Sequence, residues 1–190
     1  MSFWTNPQSN PKRNFRFLVQ FTGFEAGDVL WFAKTAKLPA ISFGETEHNF
    51  LDNKYYFPGR ATWEEVNLSL VDPASPDATQ QIWKMLEASG YVIKDNPQVG
   101  SAPTISKTKA TNNGVKSLTI SVLDEEGNAL EEWFLNSPFI KSVSFSDLDY
   151  TNEDLRQIDM TIRYDWATCK INSNGRDGVS ASEHFKQKSS

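Results

Sequence analysis

Alternating apolar and polar residues along short segments of the chain predict β-strands. The segment 15–22 carries an apolar residue at every odd position, from Phe15 to Phe21. The segment 62–70 alternates in the same way. Its apolar side consists of Val66, Leu68 and Leu70. Its polar side consists of Glu65, Asn67 and Ser69. Because successive side chains of a strand point to opposite faces, both segments are predicted strands with one buried face.

Further strands are predicted before and after these two. Residues 29–38 are predicted to form a strand that Pro39 ends or confines to a sheet edge, and residues 45–57 are predicted to form a long hairpin or loop with strand-forming ends. Residues 116–135 predict a hairpin that turns at Gly127–Asn128, with Leu118, Ile120 and Val122 pointing inward.

The last two strands are expected in 139–150 and 156–171. The final one alternates over its whole length. Its inward side is predicted to consist of Ile158, Met160, Ile162, Tyr164 and Trp166. Its outward side is predicted to consist of Asp159, Thr161, Arg163 and Asp165.

One helix is expected between the two groups of strands. Ser75 is the predicted N-cap, with Pro76 at the first helical position and Asp77 favourably placed for the helix dipole. Apolar residues at helical spacing form its buried stripe, and Gly90 ends it. The stripe consists of Ala78, Ile82, Met85 and Leu86.

This order of elements predicts the fold class and the domain organisation. We expect a mainly β fold of two packed antiparallel sheets, or a barrel-like arrangement, with one helix covering one side or end. The β domain spans 15–171 and includes the polar segment 94–115 as a loop insertion. An N-terminal arm (1–14) precedes it, and a flexible tail (172–190) follows.

Composition narrows the class of function. The chain has 190 residues, enough for one domain with a core of its own, and a formal net charge of −5, which argues against a surface that grips nucleic acid. Cys169 is the only cysteine, so no intrachain disulfide forms and a structural zinc site is not expected. No apolar run is long enough to span a membrane, and the first residues lack the order of a signal peptide, so we expect synthesis in the cytoplasm without membrane insertion.

Catalytic chemistry is not visible in the sequence. The two histidines, His48 and His184, fall in a predicted loop and in the tail. Cys169 lies at a strand end without a supporting motif, and adjacent acidic pairs such as Glu64–Glu65 point to opposite faces of their strand. We therefore expect no enzyme activity, no catalytic residues, no cofactor and no metal site.

Large apolar residues in predicted loops and edges favour assembly instead. Such residues, if buried against another copy, would act as interface anchors. The candidates for contacts between subunits are Leu38, Pro39, Phe43, Phe50, Tyr55, Tyr56 and Phe57, with Phe139 as a further exposed aromatic. A monomeric β domain that binds one ligand is the alternative from another class, and an enzyme whose residues are not recognisable comes last.

Five phrases, in their order, resemble the tail tube proteins of contractile-tailed bacteriophages and related injection systems. The similarity covers about residues 10–93 and 116–168. The phrases are "NPKRNFRFLVQF", "FAKTAKLPAISFGETEHNF", "YYFPGRATWEEVNLSLVD", "QIWKML" and "FIKSVSFSDLDYTNEDLRQIDMTIRYDWA". The segments 94–115 and 172–190 are longer than a minimal tube subunit requires, which leaves open a paralogue at the baseplate end.

The resemblance implies a structural role in a virion tail that is assembled in the host cytoplasm. Six copies would form a ring, and rings would stack into a tube. The tape measure protein and DNA would pass through the lumen without specific binding, and DNA would be ejected through it. The implied partners are other copies of the chain, a tail sheath protein, a baseplate or tube initiator protein and a tail terminator protein. The runner-up functions are a tube initiator and the secreted tube protein of a bacterial contractile injection system.

The resemblance also suggests roles for individual segments. The segment 45–57 would be a stacking hairpin that reaches the next ring, assisted by the N-terminal arm. Residues on the polar sides of two strands would face the lumen, where an acidic wall repels phosphates; an ordinary solvent-facing surface remains the alternative. The lumen candidates are Glu65, Asn67, Ser69, Asp159 and Thr161. Arg163 on the same side opposes a purely acidic wall.

Overall fold

The computed structural model describes residues 12–22, 29–31, 33–75, 77–91, 104–151 and 153–172. Within these ranges the chain forms the strands and helices that follow. The strands are β1 (Phe17–Thr22), β2 (Val29–Trp31), β3 (Ala33–Ala36), β4 (Ile41–Phe50), β5 (Asn53–Trp63), β6 (Val66–Val71), β7 (Ser117–Leu123), β8 (Ala129–Asn136), β9 (Phe139–Phe145), β10 (Gln157–Arg163) and β11 (Trp166–Ile171). Helix α1 is Ala78–Ala88, and a short helix, α2 (Lys107–Lys109), continues as a π-helical turn over Ala110–Gly114.

The strands form three antiparallel units. A five-stranded sheet has the order β11-β8-β7-β1-β2, a four-stranded sheet has the order β3-β6-β10-β9, and β4 pairs with β5 as a separate hairpin. Among the described strands, no sheet closes on itself. The structure thus confirms the predicted mainly β fold with two antiparallel sheets and few helices.

One hydrophobic core joins the two large sheets and helix α1. The predicted inward residues of β6 and β10 are buried and pair across the strands, as Leu68 does with Met160. The five-stranded sheet contributes Phe21 and Leu118, and α1 contributes Ile82. Full burial of an aliphatic side chain stabilises a fold by about 1.5–3 kcal/mol, so these positions hold the sheets and the helix together.

Two segments predicted as single strands are each divided between the two sheets. Residues 29–38 form β2, which pairs with β1, and β3, which pairs with β6. Residues 156–171 also form two strands. The first, β10, pairs with β9 and β6, and the second, β11, pairs with β8. Tyr164 is buried, but Trp166 is half exposed because the chain turns at Asp165, whose N–H donates to the Asn136 carbonyl at 3.1 Å. Because the alternation continues without a break over 158–166, it gives no sign of this change of sheet.

Helix α1 lies where the pattern predicts it, but it begins two residues later than expected. The Asp77 carboxylate accepts the Gln80 N–H at 3.1 Å, which makes Asp77 the N-cap in place of the predicted Ser75. Pro76 lies outside the described residues. At the other end Gly90 has a φ of 100°, a conformation that favours glycine, and its N–H donates to the Glu87 carbonyl.

We expect Asp77→Ala to lower the free energy of unfolding by about 1 kcal/mol, because one N–H of the first turn loses its partner. Ser75→Ala is the matched control and should change it by less than about 0.5 kcal/mol. Chemical denaturation of both variants measures the difference. Equal losses for the two variants would contradict the assignment of the cap to Asp77.

The segment 94–115 also differs from the predicted loop in its described part. From Lys107 to Gly114 the chain is helical, and Ser106 caps it by accepting the Lys109 N–H at 3.2 Å. Ala110 is buried, so this segment is part of the packed structure. Residues 92–103, the arm up to residue 11, and the tail from residue 173 lie outside the described residues.

Candidate assembly surfaces

The five lumen candidates lie together on the outer face of the four-stranded sheet. Asp159 pairs with Ser69, and Thr161 pairs with Asn67, across β10 and β6. The Ser69 hydroxyl donates a hydrogen bond to the Asp159 carboxylate. On the neighbouring strand β9, serines continue both rows, since Ser144 pairs with Asp159 and Ser142 with Thr161. The result is a surface of small polar side chains several strands wide.

The charges of this face are largely paired. Lys141 forms an ion pair with Glu65, and the Arg163 guanidinium lies 3.6 Å from the same carboxylate. The hydrogen bond from Lys141 and the charges of Lys141, Arg163 and Lys37 hold the pKa of Glu65 below its usual value, against the smaller effect of desolvation. Lys141 thus joins Arg163 in opposing a purely acidic wall on this face. No faces were predicted for 139–150. Strict alternation with Ser142 and Ser144 would not have placed Lys141 on this face, because β9 has an extra residue where the register shifts between Thr161 and Ile162.

The segment 45–57 forms most of a long, two-stranded hairpin that pairs with no other strand of the described chain. Every residue from Ile41 to Thr62 is exposed. Gly44 lies opposite two residues of β5, and the bulge brings backbones so close that a Cβ on Gly59 would lie 3.0 Å from Gly44 backbone atoms. An isolated two-stranded hairpin is marginal in water, so this hairpin is expected to be covered in the assembled protein.

The outer half of the hairpin has two unlike faces. The pairs of strand partners alternate between them. One, the aromatic face, carries Thr46, His48, Phe50, Asn53, Tyr55 and Phe57, and the other, the charged face, carries Glu45, Glu47, Asn49, Lys54, Tyr56 and Pro58. On the charged face, Lys54 pairs with Glu47 at 3.0 Å. On the aromatic face, the side chains of Phe50 and Phe57 are 60% and 57% exposed.

The tip of the hairpin adds a second unusual feature. Leu51 has a φ of 53°, a conformation that usually selects glycine or asparagine, and its side chain is 85% exposed. A residue that is costly in both respects at the end of an exposed hairpin suggests a contact outside the chain.

The remaining contact candidates lie around the root of the hairpin or in it. Leu38 and Phe43 are exposed, as is Tyr56 on the charged face. Pro39 is buried within its own chain, so we leave it out of the proposed contact surface. Phe139, at the start of β9, is half-buried. The roles of these residues between subunits stay predictions.

The described residues offer no evident reactive group. His48 is exposed on the hairpin, and His184 lies outside the described ranges. Burial raises the pKa of the Cys169 thiol, with the nearby Lys12 acting in the opposite direction, so the thiol stays protonated at neutral pH. In the described ranges no group of three His, Cys, Asp or Glu side chains could hold a metal ion. None of the helices there has the length and apolar character needed to traverse a bilayer.

Comparisons with known proteins find matches among solved structures only. No protein-family model and no curated protein matches the sequence. Solved structures do match. A chain of the anti-feeding prophage cap, the tube terminating cap, has a TM-score of 0.61 and 20% identity, covering 86% of this chain and 93% of that one.

Two further structures match over a similar length. A chain of the anti-feeding prophage baseplate has a TM-score of 0.61 and 15% identity, covering 85% of this chain and 97% of that chain. A chain of the sheath-tube complex of PVC, an extracellular contractile injection system, has a TM-score of 0.58 and 16% identity, with 90% and 99% covered. The chain therefore has the fold found in the tube, cap and baseplate structures of contractile injection systems, which confirms the resemblance at the level of the fold.

Proposed function

We propose that this protein is a structural subunit of a tail tube, forming stacked rings around a lumen. The observation that carries the proposal is the exposed hairpin, whose aromatic face lacks a partner in the described chain. The shared fold supports it, because the similar chains belong to tube terminating cap, baseplate and sheath-tube structures. The hairpin of one ring would cover part of the next, and the ring would contain six copies, as the sequence resemblance implies.

The polar face of the four-stranded sheet is the proposed lumen wall. Its Ser, Thr and Asn side chains are short, and its Glu65 is paired with Lys141 and Arg163. A wall with paired charges neither holds phosphates tightly nor repels them strongly. DNA and a tape measure protein could therefore slide past it without specific binding, in a virion tail or in a related injection particle.

A component of the tube end is the second candidate. Chains of the cap and the baseplate match this fold as well as the chain of the sheath-tube complex does. An initiator or terminator would form a ring but would not extend by itself. In either position the protein would contact a sheath or baseplate partner.

Electron microscopy of the purified protein separates these functions. We expect long tubes of stacked rings with a central channel for a tube subunit, because ring-to-ring contacts repeat without limit. Single rings, or tubes only after baseplate is added, would indicate an initiator or a templated tube. Monomers at every concentration would refute a tube role and favour a ligand-binding β domain.

A further inference from the structure

A basic groove lies at one end of the molecule. It is a cavity of about 210 Å³, lined by residues of the described N-terminal segment and by β1, β3, β7 and β8. Its rim carries the cations Lys12, Arg13 and Arg16, and its floor includes Phe17 and Val122. Lys12 is paired with Glu131. No carboxylate in the described ranges pairs with Arg13 or Arg16. The groove therefore offers two uncompensated positive charges above an apolar floor.

An acidic loop connects β9 to β10, described at residues 147–151 and 153–155. It carries Asp147, Asp149, Glu153 and Asp154. Two very exposed apolar side chains, Leu148 at 86% and Tyr150 at 111%, stand between the acids, and a third, Leu155 at 69%, follows them. Hydrogen bonds from the Thr151 N–H and hydroxyl keep the pKa of Asp149 below its usual value, which favours the charged form.

The loop is anchored to the body of the protein. Arg156, directly after it, forms an ion pair with the buried Asp72 at 3.2 Å, and its guanidinium lies 6.0 Å from the centroid of the Phe145 ring. The Asp72 carboxylate also accepts the Thr79 hydroxyl at 2.9 Å. The loop therefore presents its apolar side chains from a fixed base.

The groove and the loop lie at opposite ends of the four-stranded sheet. Leu38, in the groove lining, follows β3 near the start of β6, because the Lys37 N–H donates to the Asn67 carbonyl. The loop meets the other end of β6, where the Asp72 N–H donates to the Arg156 carbonyl. Six residues of β6 separate the two ends, roughly 17–20 Å at 3.3 Å a residue. Within one chain, the loop cannot reach the groove.

We propose that the acidic loop of one copy docks in the basic groove of the next copy. The acids of the loop match the free arginines of the rim, and Leu148 or Tyr150 fits the apolar floor. A cavity of this size is smaller than the roughly 300–1,000 Å³ of small-molecule sites, so it suits one or two side chains of a protein partner. The inference rests on the proposed function, since it names the contact by which copies stack.

The contact would be head-to-tail, which lets an assembly grow. Because the two surfaces differ and lie at opposite ends, each docked copy leaves one groove and one loop open for the next. The hairpin β4–β5 is rooted at the groove end, immediately after Leu38. The same end of a copy thus receives the loop and extends the hairpin, so both contacts form between the same two neighbours.

Charge exchange between the two surfaces tests the proposal. One variant carries Arg13→Glu and Arg16→Glu, the second carries Asp147→Lys and Glu153→Lys, and the third combines all four. Sedimentation velocity and electron microscopy measure self-association, and circular dichroism checks the fold. We expect each double variant to weaken self-association at least about tenfold, since like charges face each other in the contact. The combined variant should recover it.

A mixture and a control sharpen the result. An equimolar mixture of the two double variants should also recover self-association, with the two variants alternating, because each native groove then meets a native loop and each Glu-bearing groove meets a Lys-bearing loop. Lys84→Glu with Lys116→Glu changes the net charge as Arg13→Glu with Arg16→Glu does, but outside the groove, and should stack normally. If wild-type protein stacks and both double variants stack equally well, the loop–groove contact is refuted while the tube function stands. If wild-type protein never self-associates, both proposals fail.

Discussion

A chain with Phe50→Ser, Tyr55→Thr and Phe57→Ser is expected to fold normally and to form no tubes. These three residues supply the large apolar side chains of the aromatic face, and in the described chain that face packs on nothing. Buried aromatic anchors dominate the energy of protein interfaces, where truncating one often costs 2 kcal/mol or more. Losing three of them at every contact of a repeating assembly should abolish stacking. Electron microscopy and sedimentation velocity measure the loss.

The charged face of the same hairpin provides the matched control. Glu47→Gln with Lys54→Gln removes an exposed ion pair, which is worth about 0–1 kcal/mol. This variant should form tubes like the wild type. Thermal unfolding should be similar for both variants and the wild type, because the changed residues are all exposed and none of them belongs to the core. Tubes of normal length from the triple variant would show that the aromatic face is not the stacking surface.

Leu68→Ala should cause the largest loss of stability among the single substitutions considered. Leu68 is 1% exposed and pairs with Met160 in the core between the two sheets. A buried Leu→Ala change typically costs 2–5 kcal/mol because the cavity closes only in part. In a domain of this size each kcal/mol lowers Tm by roughly 2–4 °C. Calorimetry or thermal circular dichroism of the purified variant measures the shift.

Its neighbour on the opposite face controls for a general effect of changing β6. Asn67 is exposed on the polar face, so Asn67→Ala should change the unfolding free energy by less than about 0.5 kcal/mol. Equal destabilisation by Leu68→Ala and Asn67→Ala would contradict the assignment of the two faces. Because the lumen candidates were chosen by the same alternation, that result would also contradict their placement on one common face.

Alternation predicted the buried side of β6 and β10 correctly, although Phe15, on the predicted buried side of 15–22, precedes β1 and is exposed. In β6 and β10 every apolar residue assigned inward is in the core, and the polar residues between them share one outer face. The stripe of α1 was predicted equally well, since Ala78, Ile82 and Met85 are buried. Burial of apolar area decides both patterns, and the order of residues alone carries that information.

The same pattern does not predict which residues and strands come into contact in the fold. The alternation in 29–38 and 156–171 says nothing about where the chain leaves one sheet for the other. The ion pair of Glu65 with Lys141 joins residues 76 positions apart and depends on a bulge. The helical turn at 107–114 has Thr, Asn and Gly in its sequence, which predict a loop. Packing of Ala110 in the folded chain outweighs that local preference.

The groove and the acidic loop illustrate the same limit in the candidate site. Lys12, Arg13 and Arg16 lie in a segment interpreted as an arm and the start of a strand, and only the fold brings Leu38 and Val122 beneath them. Residues 147–150 were predicted as the end of a strand, whereas β9 ends at Phe145 and they belong to the loop. The distance of the loop from the groove follows from the strand order and the register. Charge patterns in a sequence indicate possible partners, whereas their placement at opposite ends of a sheet requires the fold.

The two changes of sheet have a mechanical consequence. The two edges of the five-stranded sheet are β2 and β11, and each continues directly into a strand of the other sheet, β3 in one case and β10 in the other. Tension on either sheet is therefore carried to its companion by peptide bonds at both margins, in addition to the contacts of the core. The two layers resist sliding past each other under shear. A tube wall made of such subunits would pass an axial thrust from ring to ring as a stiff body.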